Sequence, residues 1–367
     1  MRLLITNVSF YPAYEGGPTN ALYWLASGLV HSGYDVCVVT TGRGIQEDNF
    51  LFDTWQKKNG FDVIYVKNGN FKKTIKEELQ KSDVYLACGV CTLWGFYIRM
   101  KALVNGKKII ISPRGDLFDS AIDHKGIFYG FLKRFFFQIM RVCYGDKVVY
   151  HVTSEEEEIV VKNSMKSNRV YVVPNLMILP ERVMCKNVAT PYFLFVGRIN
   201  PIKAIDKLIL GLYQSSSFMK SNIILKIAGE GKGEYYEQLC ELVKKLEIES
   251  KIIFVGSLDG FEKNKTFSQA YWTFLVSESE NFGNVVLESL CQGTPVVASK
   301  GTPWKKLEET NSGFWIDNTP DSIAKKVNEI IEMNQTQYEI IRENAYRLSR
   351  TFDVYENIDK WRNMLDR

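Results

Sequence analysis

The chain has 367 residues, 46% of them hydrophobic and 24% charged, the proportions of a water-soluble globular protein, which excludes a disordered, collagenous or coiled-coil chain. At this length a single core stops growing efficiently, so two domains are expected, each able to bury a core without disulfide or metal staples. The net charge of +4 is too weak for a dedicated nucleic-acid binder, and it is uneven: residues 1–180 carry 22 basic against 17 acidic side chains, the remainder 24 against 25.

Short runs rich in Val, Ile and Leu alternate with helix-period segments, the signature of parallel strands covered by helices on both faces. In chain order, strands are predicted at 3–6, 35–40, 63–66, 84–87, 108–112, 147–151 and 170–173, the last stopping at Pro174, which cannot donate to a ladder. Strands resume at 192–196, 223–228, 252–255, 272–275, 295–298 and 313–316. The pattern reads as a doubly wound domain over 1–174, a linker over 175–191 and a second doubly wound domain over 192–350. Residues 351–367 read as a terminal helix with Tyr355, Ile358, Trp361 and Met364 on one face, which must bury that stripe and is expected to cross back to the first domain. Seven cysteines without a repeated spacing fit a reducing cytoplasm. The first residues lack an export-signal pattern, and no uncharged apolar run is long enough for a membrane span.

In open α/β sheets ligands bind beyond the carboxyl ends of the strands, so the loops there carry the candidates. The first loop holds Gly16 and Gly17, where backbone can approach a ligand closely, or which simply form a turn. Ser112-Pro113-Arg114-Gly115-Asp116 places a cation and a carboxylate at the sheet edge, or a surface pair between Arg114 and Asp116. In the second domain, Arg198 and Lys203 flank a helix start, an arrangement suited to a diphosphate. Glu280-Asn281-Phe282-Gly283-Asn284 leads into a helix carrying Glu288, which offers backbone donors and a carboxylate for the two hydroxyls of a ribose. Three other stretches point elsewhere. The alternate glycines of 229–233 do not form a dinucleotide loop. Glu155 to Glu158 after Ser154 read as a capped helix start. Residues 125–144, with Lys125, Lys133, Arg134 and Arg141 among many aromatics, read either as a helix buried on the first sheet or as one that meets an anionic membrane surface.

Glu280 and Glu288, with seven residues between them, match the Glu-x7-Glu signature of retaining glycosyltransferases with the GT-B fold. The run Glu280 to Glu288 and its continuation Gly293-Thr294-Pro295-Val296-Val297-Ala298 resembles the family 4 (glycosyl transferase group 1) pattern, as do Val196-Gly197-Arg198 with Lys203, the Gly16-Gly17 loop and Val172-Val173-Pro174-Asn175. The resemblance implies an α/β GT-B fold of two Rossmann-like domains facing across a cleft. It implies a UDP- or GDP-linked sugar donor held mainly by the second domain, with the acceptor mainly on the first. Arg198 and Lys203 would clamp the diphosphate and Glu288 the ribose, while Glu280 with Asn281 and the 282–284 backbone would meet the transferring sugar. Gly16 and Gly17 would close over the phosphates, and Gly256, Ser257 and Leu258 would hold the base through backbone groups.

Many relatives carry a His in the loop where this chain has Ser112-Pro113-Arg114-Gly115, and an arginine cannot act as a general base there. Arg114 is therefore expected to stabilise phosphate charge or orient the acceptor, with Asp116 the nearest ionisable alternative. No metal and no cofactor beyond the nucleotide sugar are expected. The implied setting is bacterial surface polysaccharide assembly (lipopolysaccharide, capsule or exopolysaccharide) on a glycan or lipid-linked acceptor, in the cytoplasm or on the cytoplasmic face of the inner membrane. The rivals are a nucleotide-sugar 2-epimerase of the same architecture and a non-catalytic partner subunit.

Overall fold

The computed structural model of the chain describes residues 1–13, 17–45, 50–90, 92–118, 127–183 and 191–366. It divides into two compact α/β units, Met1–Ile178 with Val354–Arg367, and Leu179–Asp353.

The first unit is built on β1 (Arg2–Thr6), β2 (Asp35–Thr41), β3 (Trp55–Lys58), β4 (Phe61–Val66), β5 (Val84–Cys88), β6 (Lys108–Ser112), β7 (Val149–Val152) and β8 (Val170–Val172), in the sheet order β3-β4-β2-β1-β5-β6-β7-β8. Seven strands run parallel; β3 is antiparallel to β4 and was absent from the expected parallel pattern. Its polar sequence Trp55-Gln56-Lys57-Lys58 carries no apolar run, but Asn59-Gly60 between the strands takes positive φ at both positions, the signature of a tight hairpin turn. β7 begins two residues later than predicted because Gly145–Lys147 forms a 3-10 turn.

Successive strand residues point to opposite faces, and both faces are covered. Leu4, Ile109, Ile111 and Tyr150 pack under the helices Phe71–Lys81, Leu93–Val104, Ile127–Tyr144 and Glu155–Met165. Leu3, Ile5, Val38 and Ile110 face the helix Gly17–His31 and the terminal helix Asp359–Asp366. Ile358, Trp361, Met364 and Leu365 are buried there, each worth roughly 1.5–3 kcal/mol of transfer free energy. Lys108 Nζ donates to the carbonyls of Met364 and Leu365 at 2.9 and 2.8 Å, closing the helix C-terminus with a cation. Tyr355 leaves the expected stripe: it is 41% exposed and meets His31 edge-on at 4.9 Å, because residues 351–358 are irregular rather than helical. Residues 175–178, expected as linker, also belong to this unit; Leu176 and Met177 are buried, and Val354 N–H donates to the Met177 carbonyl at 3.0 Å.

The second unit is a six-stranded parallel sheet of β9 (Tyr192–Val196), β10 (Ile224–Ala228), β11 (Ile252–Gly256), β12 (Trp272–Leu275), β13 (Val296–Ser299) and β14 (Gly313–Ile316), ordered β11-β10-β9-β12-β13-β14. Phe193 and Phe195 of β9 face one core with Trp272 and Phe274, while Tyr192 and Leu194 face the other side with Phe267. Phe352 is part of this unit, in a ring cluster with Phe282 and Trp304.

Candidate active site

In the second unit, the loops after β9 and β12 are tied together at the carboxyl edge of the sheet. Asn200 Oδ1 accepts from Ile202 N–H at 3.1 Å and shapes the 3-10 turn Pro201–Lys203. The Ile202 carbonyl then accepts from Glu278 N–H at 2.8 Å. Across this junction the Lys203 ammonium is ion-paired to the Glu280 carboxylate, with the two side chains only 15% and 14% exposed. Ser277 Oγ donates to the same carboxylate oxygen at 2.9 Å, and Glu280 N–H donates to the Gly301 carbonyl at 2.9 Å. The cation and the acid singled out in separate stretches of sequence are thus one fixed pair. Arg198, by contrast, is exposed, and among the described residues it makes no hydrogen bond or ion pair.

Gly283 precedes the helix Asn284–Leu290 with φ of 80°, and a Cβ there would lie 2.7 Å from Leu275 Cδ2, so the position favours glycine. Phe282 is buried against Trp304, whose indole N–H donates to the Phe282 carbonyl at 2.5 Å. Its side chain and carbonyl are therefore structural. Asn284 is buried at the first helical position, and Asn281 is half-buried.

Glu288 Oε2 meets Lys263 Nζ at 2.7 Å. Lys263 stands on the helix Gly260–Gln269, which begins just after Gly256, Ser257 and Leu258. Nothing in the sequence marks this partner, since Lys263 sits among Glu262, Asn264 and Lys265 like any solvent-facing helical lysine. Gly256 and Ser257 are exposed, and the Gly256 carbonyl accepts from Gly229 N–H at 2.9 Å.

In the first unit, the loop after β6 is held from three sides. Arg114 takes the left-handed conformation, φ 52°, and its Nη1 donates to Asn175 Oδ1 at 3.0 Å. Asp116 Oδ2 accepts from Val90 N–H at 2.8 Å, so the hydrogen bonds resolved for Arg114 and Asp116 reach neighbouring loops. Gly115 N–H donates to Glu157 Oε1 at 2.7 Å, and Glu157 Oε2 accepts from Thr153 N–H at 2.9 Å and the Thr153 hydroxyl at 3.2 Å. Ser154 caps the helix as predicted, but Glu157 does more than complement its dipole: the fully buried carboxylate joins the β6 and β7 loops. Burial pushes its pKa up, against the opposing pull of the Thr153 and Gly115 donors.

His151, on the same strand face as Val149, is 1% exposed and lies 4.3 Å from Trp361 ring to ring. Its Nε2 is 2.9 Å from the Val173 carbonyl, an obligate acceptor, so Nε2 carries the proton and Nδ1 accepts from Ser112 Oγ at 2.8 Å. Burial, with the nearby Arg114 cation, depresses the imidazole pKa to about 3. His151 is thereby a neutral strut under Ser112, at the root of the Arg114 loop. Gly17 opens the first helix at an exposed position; Gly16 and Lys125 lie outside the described residues.

Residues 184–348 match the family model of glycosyl transferases group 1. Over 174 residues the chain is 33% identical to an uncharacterized glycosyltransferase of Methanocaldococcus jannaschii, covering 47% of this chain and 42% of that protein. It is 26% identical over 224 residues to an uncharacterized glycosyltransferase of Haemophilus influenzae, covering 60% and 61%. The matches span less than two thirds of either relative's length. Among solved structures, sucrose-phosphate synthase from Thermosynechococcus elongatus aligns with a TM-score of 0.76 at 15% identity, covering 99% of this chain and 98% of that one. HepE of Anabaena, in complex with UDP and glucose, aligns at 0.74 and 15% identity over 100% and 99%. At these identities the likeness is one of fold, the GT-B fold. The Lys203–Glu280 and Lys263–Glu288 pairs lie wholly inside the matched stretch, and it is this stretch of the chain that is similar to the group 1 glycosyltransferases.

Proposed function

We propose that the chain is a retaining glycosyltransferase that moves a sugar from a UDP- or GDP-linked donor to a growing glycan. The observation that carries this reading is the pairing of both signature glutamates with lysines at the carboxyl edge of the second sheet. Glu288, held by Lys263, is placed to accept the two ribose hydroxyls, and the 256–258 backbone to meet the base. The bond from the anomeric carbon to the diphosphate breaks, and negative charge grows on the leaving phosphate. Arg198, which has no partner among the described residues, and Lys203, already fixed by Glu280, take up that charge with little reorganisation. The acceptor hydroxyl attacks the same face, forming the new C–O bond, and its proton passes to the departing phosphate oxygen. Arg114, steadied through Asn175 and the Glu157-bonded loop, orients the acceptor on the first unit. With cations in these places the chemistry needs no metal. The solved likeness that holds UDP and glucose favours a uridine nucleotide.

The setting we propose is assembly of a bacterial surface polysaccharide at the cytoplasmic face of a membrane. What supports it is the basic first half of the chain and the helix Ile127–Tyr144. Phe137, Met140 and Tyr144 bury one side of that helix, while Phe131, Leu132, Phe135, Ile139 and Val142 stand exposed on the other, beside the arc of Arg134 and Arg141. That combination suits an anionic interface. No described helix is long and apolar enough to cross a membrane.

The test is nucleotide-sugar binding and turnover by the purified full chain. Lys203→Ala and Glu288→Ala should each weaken donor binding and turnover at least about tenfold, and EDTA should leave the wild-type rate unchanged. Unaltered binding in both variants would defeat the site assignment. An epimerase would instead convert the donor sugar and release UDP with no acceptor present.

A further inference from the structure

The first unit holds an open cavity of about 630 Å³ that the donor site does not use, within the roughly 300–1,000 Å³ typical of small-ligand sites. It lies beyond the carboxyl ends of β1, β2 and β4, lined by Val8, Thr41, Asn68 to Lys72 and Trp94. This is the neighbourhood where sheet order turns back on itself, β2 on one side of β1 and β5 on the other, the place where open α/β sheets take their ligands.

Its lining is rigid where it is backbone and unspent where it is side chain. Asp53 accepts from the N–H groups of Lys67, Asn68 and Gly69 at 3.0, 3.0 and 3.1 Å, which fixes the loop. Trp94 is steadied edge-on against Phe71, ring centroids 5.3 Å apart. Asn70 spends its side-chain oxygen on Lys73 N–H at 3.0 Å, which leaves its two amide hydrogens to donate. Among the described residues, the side-chain amide of Asn68, the ammonium of Lys72 and the indole N–H of Trp94 have no hydrogen-bond or ion-pair partner. Among the described residues, no carboxylate lines the cavity. An aromatic surface, two amides and one unneutralised cation are together the chemistry for a hydroxylated ring that bears negative charge.

We propose that this cavity seats an anionic sugar of the acceptor, a hexuronate or a sugar phosphate. The ring lies against Trp94, hydroxyls bond to Asn68 and Asn70, and the carboxylate or phosphate meets Lys72. The role as acceptor subsite rests on the glycosyltransferase reading above; the binding itself does not.

The test measures binding of three probes to the full chain by titration calorimetry and saturation-transfer NMR: methyl α-D-glucopyranoside, methyl α-D-glucuronide and glucose 6-phosphate. At least one anionic probe should bind about tenfold tighter than the neutral one, and which of the two does so identifies the anion. Lys72→Ala should erase that preference and leave methyl glucoside unchanged, and Lys72→Glu should reverse it. Trp94→Ala should weaken all three. A UDP-induced thermal shift, measured on every variant, reports that the protein is folded. Equal binding of neutral and anionic probes, no binding of either anionic probe, or a preference that survives Lys72→Ala overturns the proposal. A wild type that binds the anionic sugars as stated but shows no UDP shift defeats the donor reading and leaves this site standing.

Discussion

His151 gives the first unit a pH dependence whose size follows from its surroundings. In the unfolded chain an imidazole takes up a proton below about pH 6.5. In the fold, His151 stays neutral down to about 3, because burial and the Arg114 cation oppose the charge and Nε2 is committed to the Val173 carbonyl. Between those values the unfolded state binds more protons than the folded one, so stability rises with pH and is lost as pH falls below the unfolded value. The loss is about 1.4 kcal/mol per unit, or about 2 kcal/mol between pH 7 and pH 5 from this group alone. His151→Gln supplies the control: its amide can donate to Val173 and accept from Ser112 but does not titrate. Urea unfolding of both proteins, followed through the first unit's near-UV signal at pH 7, 6 and 5, should show the wild type losing about 2 kcal/mol more than the variant. Parallel pH profiles would refute the argument, and with it the neutral-strut account of the Ser112 to Arg114 loop.

Lys263→Met should free the Glu288 carboxylate to swing and raise the KM for the donor about tenfold with kcat little changed, while Lys263→Arg should restore the wild-type value; equal loss of kcat in both variants would show that the pair only supports the fold. For the helix Ile127–Tyr144, cosedimentation with phosphatidylglycerol vesicles should exceed that with phosphatidylcholine vesicles and fall about tenfold in Phe131→Ser/Phe135→Ser. Equal retention by the double variant would remove that face from membrane binding.

Much of the architecture was readable because each buried strand is covered on both faces and so appears as an apolar run, as Lys108–Ser112 and Tyr192–Val196 do. The edge strand β3 escaped because one polar tetrapeptide at a sheet margin has no such run, although Asn59-Gly60 announced its turn. At the proposed donor site Lys203, Glu280 and Glu288 stood out by type and spacing. That Lys203 and Glu280 hold each other, and that Lys263 holds Glu288, depends on which loops the sheet order brings together. Among four consecutive glutamates, nothing in the sequence distinguishes Glu157, the one whose carboxylate is drawn inward. His151 was more accessible: strand alternation from Val149 puts it on the buried face that the terminal helix covers.

The return of Val354–Arg367 to the first unit has a consequence for biosynthesis. The eight strands of that unit leave the ribosome before the segment that seals one of their two faces, with all of Leu179–Asp353 made in between. Throughout that interval Leu3, Ile5, Val38 and Ile110 have the helix Gly17–His31 for cover but lack Trp361, Met364 and Leu365. The second unit is contiguous in sequence and can complete its core first, so the half of the molecule synthesised earlier is the half that finishes later.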